Sequence, residues 1–338
     1  MRRPSIMRTG LVRGLGTAVV TAALAGGLTA CGGDAEATGA TPGKVTVGAV
    51  SNGAAQPAEL SAPVVEALRA RLPKAVRERG ELIIGVGALP AGYPPLAYVG
   101  TDQKTLTGAE PDLGRLVAST LGLKPVVKNS TWENLFVGID SGKVDVAFTN
   151  VTVTEERKKK YEFASYRQDN LAFEALKENT WNFAGDYRNL AGRTVAVSSG
   201  TNQEKILLEW QNKLRSEGKD LTVKYFPDSN SVNLALSGKK IDLNFGPNPS
   251  ISYHITQTAG TNAPTRNAGS FSGAGDSLQG LIAATAKKDS GLAGPVSEAI
   301  NHLIKNGQYG QLLGTWNLSN EAVPTSEVNP PGLPTTNS

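Results

Sequence analysis

The sequence predicts an α/β protein built as two parallel-sheet lobes, and two observations carry that expectation. Short apolar runs alternate with amphipathic helical stretches along the body of the chain, the order that parallel strands with crossover helices produce. A helix, a Ser-Gly-Lys turn and an apolar strand also recur as a unit, at 131–148 and again at 229–245. Those copies lie too far apart for the ~20–50-residue periods of repeat arrays. They read as two similar lobes, and 338 residues suffice for two cores at ~100–200 residues each.

The chain opens on Arg2, Arg3, Arg8 and Arg13, followed by an uncharged apolar run from Gly14 to Ala30. A basic segment, an apolar segment and small residues before a cleavage point form a secretory leader, predicted over 1–30. Residues 1–30 hold no acid, so setting aside their four arginines from 34 Lys+Arg leaves 30 basic against 30 acidic residues. The basic balance belongs to the leader, and the remainder lacks the basic excess that nucleic-acid binding calls for. Cys31, the only cysteine, follows Leu28-Thr29-Ala30 and matches the L-[ST]-[AG]-C pattern at which bacterial lipoproteins are lipidated. A lone cysteine has no partner for an intramolecular disulfide, and lipidation would account for it. Residues 31–61, rich in Gly, Ala, Thr and Pro without periodicity, read as a flexible tether. The tail 322–338, with Pro324, Pro330, Pro331 and Pro334, reads as disordered.

Within the body, Val64, Val65, Leu68, Leu72 and Val76 recur at helical spacing and predict one helix over 62–79. Glu81–Val86 is a buried strand, followed by a Pro/Gly loop with Tyr93 and Tyr98. Residues 111–121 form a helix with Pro111 in its first turn, where the missing N–H is harmless. Pro125–Val127 is a strand, the stretch from Trp132 a helix, and Val144–Phe148 a strand. The polar loop after it ends in Arg157. This stretch offers an aromatic, hydroxyls, an amide and one guanidinium, an inventory suited to gripping a small anion. Further strands are expected at Thr194–Val197, Thr222–Phe226 and Ile241–Phe245, with helices at 203–215 and 229–237 between them. Residues 170–176 and 281–284 read as extended. Parallel sheets bind ligands beyond the carboxyl ends of their strands, so the Tyr93 loop and the 149–157 loop are expected at one mouth. His254 and His302 fall on helices away from that mouth and read as surface residues.

RGELIIGV, GAEPDLGRLVASTLGL, TWENLFVGIDSGKVDV, TVTEER, LAGRTVAVSSGTN and NGQYGQLLGTWN come in an order and spacing that resemble the solute-binding proteins of ABC transporters. The likeness is to the polar amino-acid cluster (family 3), which has the type II periplasmic-binding fold, and it covers most of 74–320. It implies lobe I over 62–172 and 280–321, lobe II over 173–279, two crossover strands near 170–176 and 279–285, and a ligand between the lobes. Tyr93 and Trp132 stand where the family's aromatic walls sandwich the ligand. Thr152 and Arg157 match the pair that holds its carboxylate, and a planar guanidinium suits that task. Thr201 and Asn202 match positions whose backbone N–H groups, at a helix start, face the same carboxylate.

Two departures bear on the ligand. Asn150 replaces a glycine common before the threonine loop, and its side chain could fill space or reach the ligand. Pro247 takes the place of the aspartate that usually holds the ligand's ammonium, and proline offers neither charge nor N–H. The ligand is then either a carboxylate without an α-amine or an amine held by another acid. Asp228 is the replacement expected here, although it reads equally as a helix cap.

The resemblance implies a lipid-anchored monomeric receptor that passes a small polar solute to an ABC permease. A ligand-sensing subunit without transport and a dehydratase on the same fold are the alternatives. No Ser-His-Asp or metal-ligand spacing occurs in the sequence, and no cofactor is expected.

Overall fold

The structure, a computed structural model, describes residues 43–336. The predicted leader, Cys31, the first part of the tether and residues 337–338 lie outside them. The chain runs β1 (Lys44–Val47), β2 (Ala58–Ser61), α1 (Glu66–Arg69), α2 (Lys74–Arg79), β3 (Glu81–Val86), β4 (Tyr98–Val99) and β5 (Leu106–Thr107). It continues through α3 (Ala109–Thr120), β6 (Lys124–Asn129), α4 (Trp132–Asp140), β7 (Val146–Ala147) and the sixteen-residue β8 (Tyr161–Leu176). The second series is β9 (Thr194–Val197), α5 (Asn202–Ser216), β10 (Thr222–Tyr225), α6 (Ser229–Ser237), β11 (Leu243–Pro247), α7 (Asn248–Thr258) and β12 (Thr265–Ser272). β13 (Gly280–Lys287), α8 (Ala293–Lys305) and α9 (Gln308–Thr315) close it.

The strands join in the order β10-β9-β11-β8-β13-β7-β3-β6, with β12 on β8. At one end β6, β3 and β7 are parallel, and at the other β10, β9 and β11 are parallel in the matching order. Both lobes therefore place their first strand between the second and the third, which sets the ligand crevice at the carboxyl ends of the first and third. β8 serves both sheets. Its first part pairs with β13, from Tyr161 opposite Lys287 to Asp169 opposite Gly280. Its second part pairs with β11 and β12 from Asn170 onward. The first crossover is thus inside one strand, and the chain returns to lobe I through residues 273–279.

The cores follow from the patterns of the elements. Leu82, Ile84, Leu113, Leu116, Val117, Ile300 and Leu312 lie in the lobe I cluster, and Phe173, Val195, Ile206, Trp210 and Phe245 in that of lobe II. Each such side chain contributes roughly 1.5–3 kcal/mol through the water it sheds. The 62–79 segment forms two short helices instead of one. Pro73 precedes Lys74 in an extended conformation (φ −51°, ψ 137°), and a proline inside a helix would remove a backbone hydrogen bond and clash with the preceding turn.

Two expectations about the ends are corrected. Residues 43–61 are not a tether: β1 and β2 pair antiparallel and bury Val47 and Leu60 in the lobe I core, and the Gly48 N–H donates to Asp112 Oδ2 at 2.8 Å. Their order comes from tertiary partners, to which local periodicity is blind. Residues 322–336 of the tail are not disordered either. Ser165 N–H donates to the Glu327 carbonyl, Asn329 N–H to that of Phe163 and Leu333 N–H to that of Val153, each at 3.0 Å. Leu333 is fully buried in the lobe II cluster, and Lys205 donates to the carbonyls of Pro334 and Thr335. The prolines remove donors that the strap does not need, so they are compatible with docking.

Leu333→Ala should accordingly lower stability by about 2–5 kcal/mol, the usual range for emptying a buried leucine site. Denaturant unfolding checks this, and a change under about 0.5 kcal/mol, typical of surface positions, would show that the strap does not dock.

Candidate ligand-binding site

The polar loop after β7 is built as an extra strand. Thr152 bridges to Ile282, Val153 N–H donates to the Leu281 carbonyl and Ala283 N–H to that of Val151. With side chains alternating, Val151 and Val153 enter a core with Leu135, Ile139 and Phe163, while Asn150, Thr152 and Thr154 have the opposite parity. The Gly87 N–H donates to Thr149 Oγ1 at 3.0 Å, which ties the loop after β3 to the loop after β7 at the switch point. Both loops therefore leave one mouth, as expected.

Arg157 is freed for that mouth by its neighbours. Glu155 pairs with Lys158 at 2.9 Å, and Glu156 with Lys159, so neither acid engages the guanidinium. Arg157 Nη1 donates to the Thr152 carbonyl at 3.0 Å and Nη2 to the Gly200 carbonyl of lobe II at 3.2 Å. Its guanidinium lies 5.3 Å from the Trp132 ring centroid and 5.7 Å from that of Phe136. Those two rings meet edge to face on successive turns of α4, 5.0 Å apart. Trp132 Nε1 donates to the same Gly200 carbonyl at 3.3 Å. Burial pushes the guanidinium down to about 10, with Asp169 opposing that shift. Among the described residues Arg157 forms no ion pair.

The lobe II side is the start of α5. Thr201 caps the helix, its Oγ1 accepting from Glu204 N–H at 3.2 Å, while Glu204 accepts from Gly200 N–H at 2.6 Å. This reciprocal cap occupies two of the backbone donors at the helix start. Asn202 contributes its side chain: Nδ2 donates to Asp169 Oδ2 at 3.1 Å and to the Gly273 carbonyl at 2.9 Å. Thr152 Oγ1 donates to Asp169 Oδ2 from the other lobe at 2.7 Å. Trp132, Thr152, Arg157, Thr201 and Asn202 thus meet along one seam, around the Gly200 carbonyl and the Asp169 carboxylate.

The remaining candidates are placed differently. Asn150 has a left-handed backbone (φ 51°), which explains a glycine-like position, since asparagine tolerates that region better than most residues. Its Oδ1 accepts from Arg167 and its N–H donates to Glu110 Oε1 at 2.7 Å, so it serves the hinge instead of the seam. Asp228 caps α6, accepting from Ser231 N–H at 2.8 Å and Ser231 Oγ at 3.2 Å. Both oxygens are committed there, which removes it as the acid facing an amine. Tyr93 sits on the loop after β3, with its carbonyl accepting from Ser250 Oγ of lobe II at 3.4 Å. Ser229 Oγ donates to the Gly92 carbonyl at 3.1 Å. The lobes are therefore closed on this side as well. His254 is only partly at the surface, because its Nδ1 meets Glu174, a buried carboxylate inside lobe II.

Sequence reasoning missed Asp169, Gly200 and Phe136. Asp169 is buried, and burial pushes its carboxyl up to about 6 against the Thr152 hydrogen bond and the charge of Arg167. The available signal was an acid one residue before the 170–176 stretch read as extended. Arg167 lies between Glu110 and Glu321, all three buried, and Glu110 also accepts from Tyr166 at 2.8 Å. A bulge in β8, where the register skips Tyr166, lets consecutive residues reach one carboxylate.

A profile of the bacterial extracellular solute-binding proteins, family 3, matches residues 84–319, and the chain belongs to that family. The L-cystine-binding protein TcyJ of Escherichia coli K12 is 31% identical over 244 residues, covering 71% of this chain and 84% of that protein. An ancestral arginine-binding protein bound to arginine superposes with a TM-score of 0.61 at 24% identity, over 70% of this chain and 98% of that one. The amino acid ABC transporter substrate-binding protein AbpA of Streptococcus pneumoniae, bound to L-arginine, does so at 0.61 and 21% identity, over 73% and 99%. The type II periplasmic-binding fold and a solute-binding role follow.

A raised carboxyl pKa makes stability fall with pH, because between about 4 and 6 the folded state holds the Asp169 proton that the unfolded chain has released. Asp169→Asn removes this contribution. Its unfolding free energy should decline less than wild type from pH 4 to pH 7 in denaturant titrations, and equal slopes would refute the shift.

Proposed function

We propose that this chain is an extracytoplasmic, lipid-anchored receptor that captures a small carboxylate-bearing solute of the amino-acid class and delivers it to an ABC permease. The observation that carries the reading is Arg157: a guanidinium at the inter-lobe seam, flanked by two aromatic rings, hydrogen-bonded only to carbonyls and without an acid of its own. A ligand carboxylate entering between the lobes would supply the missing anion, with Thr152 and the start of α5 beside it. Tyr93, on the loop after β3, and Trp132, at the start of α4, would wall the ligand in. Closure of the lobes around the hinge strands would sequester the ligand and form the surface that a permease reads.

The solute class is supported by the L-cystine-binding relative and by the family profile. The lipid anchor rests on Cys31 and the leader before it, and the monomeric state on the pattern of the family. A binding role without chemistry is favoured by the solute-binding family profile and by the binding-protein relatives. Neither histidine lies at the seam.

The test is a thermal-shift screen of the purified protein with amino acids, their deaminated analogues and dicarboxylates. A true ligand at a hundred times its Kd should stabilise by about 2.7 kcal/mol. Arg157→Ala should then weaken binding by about 2–5 kcal/mol in isothermal titration, as when one partner of a buried charged contact is removed. Unchanged affinity would sink the carboxylate assignment. Conversion of the ligand on long incubation would replace the receptor with an enzyme.

A further inference from the structure

Asp169 poses a question that the receptor reading leaves open. Its carboxylate is buried, accepts from Thr152 Oγ1 of lobe I and Asn202 Nδ2 of lobe II, and among the described residues forms no ion pair. The backbone is shaped for it: a Cβ on Gly273 would stand 1.7 Å from Asp169 Oδ2, so only glycine leaves the carboxylate its place. Arg167 and Arg157 act on it from beyond ion-pair distance, and a buried charge held without a close counter-charge is costly. Arg157, the unpaired cation of the same seam, is joined to Asp169 through a single residue. The Thr152 carbonyl accepts from Arg157 and the Thr152 hydroxyl donates to Asp169.

The position relative to Pro247 is informative. Pro247 pairs across the sheet with Leu171 of β8. Asp169 lies two residues from Leu171 on the same strand, about 7 Å along it at ~3.4 Å per residue. An acid therefore reappears one strand away from the position where Pro247 removes it.

We propose that Asp169 is the specificity-determining residue that receives the ligand's α-ammonium while Arg157 receives its α-carboxylate. A cation and an anion that both bond to Thr152, neither in an ion pair among the described residues, are complementary to a zwitterion whose two charges flank one carbon. Of the two ligand classes that Pro247 leaves open, the α-amino acid is the one that fits. This inference rests on the carboxylate role of Arg157 and adds the amine to it. The raised carboxyl pKa of Asp169 is consistent with a site that awaits a cation, since an ammonium beside it would return the group to its ionised form.

The experiment compares matched compounds: L-cystine, L-arginine and L-histidine, with the deaminated analogues 3,3′-dithiodipropionate, 5-guanidinopentanoate and 3-(imidazolyl)propionate. Isothermal titration is run on wild type, Asp169→Asn and Arg157→Ala. Asparagine keeps an oxygen for Thr152 and Asn202, so the seam retains its acceptor. Wild type should prefer an amino acid over its deaminated partner. Asp169→Asn should lose about thirty-fold or more in affinity for the amino acid while binding the deaminated analogue as wild type does, and Arg157→Ala should lose both. Equal affinity of wild type for the two members of a pair overturns the inference and leaves the carboxylate reading intact. So does an Asp169→Asn variant that binds the amino acid undiminished or loses both ligands alike. Amino-acid binding that survives Arg157→Ala overturns the carboxylate reading, and no response to any of the three amino acids overturns the ammonium assignment.

Discussion

The arrangement depends on the burial of Arg167. A guanidinium out of water needs counter-charges, and here they arrive from Glu110 on α3 and Glu321 after α9. Those acids lie far apart in the chain, and each is as buried as the arginine. Glu110 also holds the Asn150 N–H, so the loop carrying Thr152 and Arg157 starts from the same cluster. Glu321 accepts from Asn248 of lobe II at 3.3 Å, and so the cluster reaches both lobes. Removing one of its charges would leave the others uncompensated, which is why buried ion clusters are more sensitive to truncation than their net contribution suggests.

On this foundation the seam is economical. One backbone carbonyl, at Gly200, accepts from Trp132 and Arg157. One side-chain oxygen, Asp169 Oδ2, accepts from both lobes. The two lobes are thereby joined at the seam by a few hydrogen bonds between polar groups. Hydrogen bonds of this kind, exchangeable with water, contribute about 0.5–1.5 kcal/mol each, a scale at which a small solute shifts the balance between open and closed. The two parallel sheets with their apolar cores flank the seam, and β8 carries Asp169 into it.

Much of the architecture was legible because it rests on period and punctuation. Strands such as Glu81–Val86, the α5 helix with its Thr201–Glu204 cap, and the doubled Ser-Gly-Lys unit announce themselves locally. Arg157 was legible as an anion group because it ends the polar loop after an apolar strand and matches the family's carboxylate-holding arginine. Other features were hidden where tertiary contacts decide. Residues 43–61 have no periodicity, yet they fold as a hairpin on the lobe I core. Leu333 looks like a tail residue until the lobe II cluster takes it. Asp228 and Asp169 are both acids near the expected mouth, and only the fold shows that one caps a helix while the other faces the seam. Asn150 was readable as a ligand group from its type, whereas its left-handed backbone and the arginine behind it decide otherwise.

The docked strap bears on how the lobes can move. Asn329 is bonded to Phe163 on the lobe I part of β8, while Leu333 is seated in lobe II. Leu333 is itself bonded to lobe I, its N–H donating to the Val153 carbonyl and its carbonyl accepting from Glu155 N–H, so a single residue ties the two lobes. The strap thus acts as a clasp: the lobes part along this side only when Leu333 leaves its lobe II socket or its lobe I hydrogen bonds. Motion is steered toward a twist about β8 or a gape at the face remote from the strap. The lobes resemble a book whose spine carries a second binding thread, with the direction of entry for a solute set by where that thread is not.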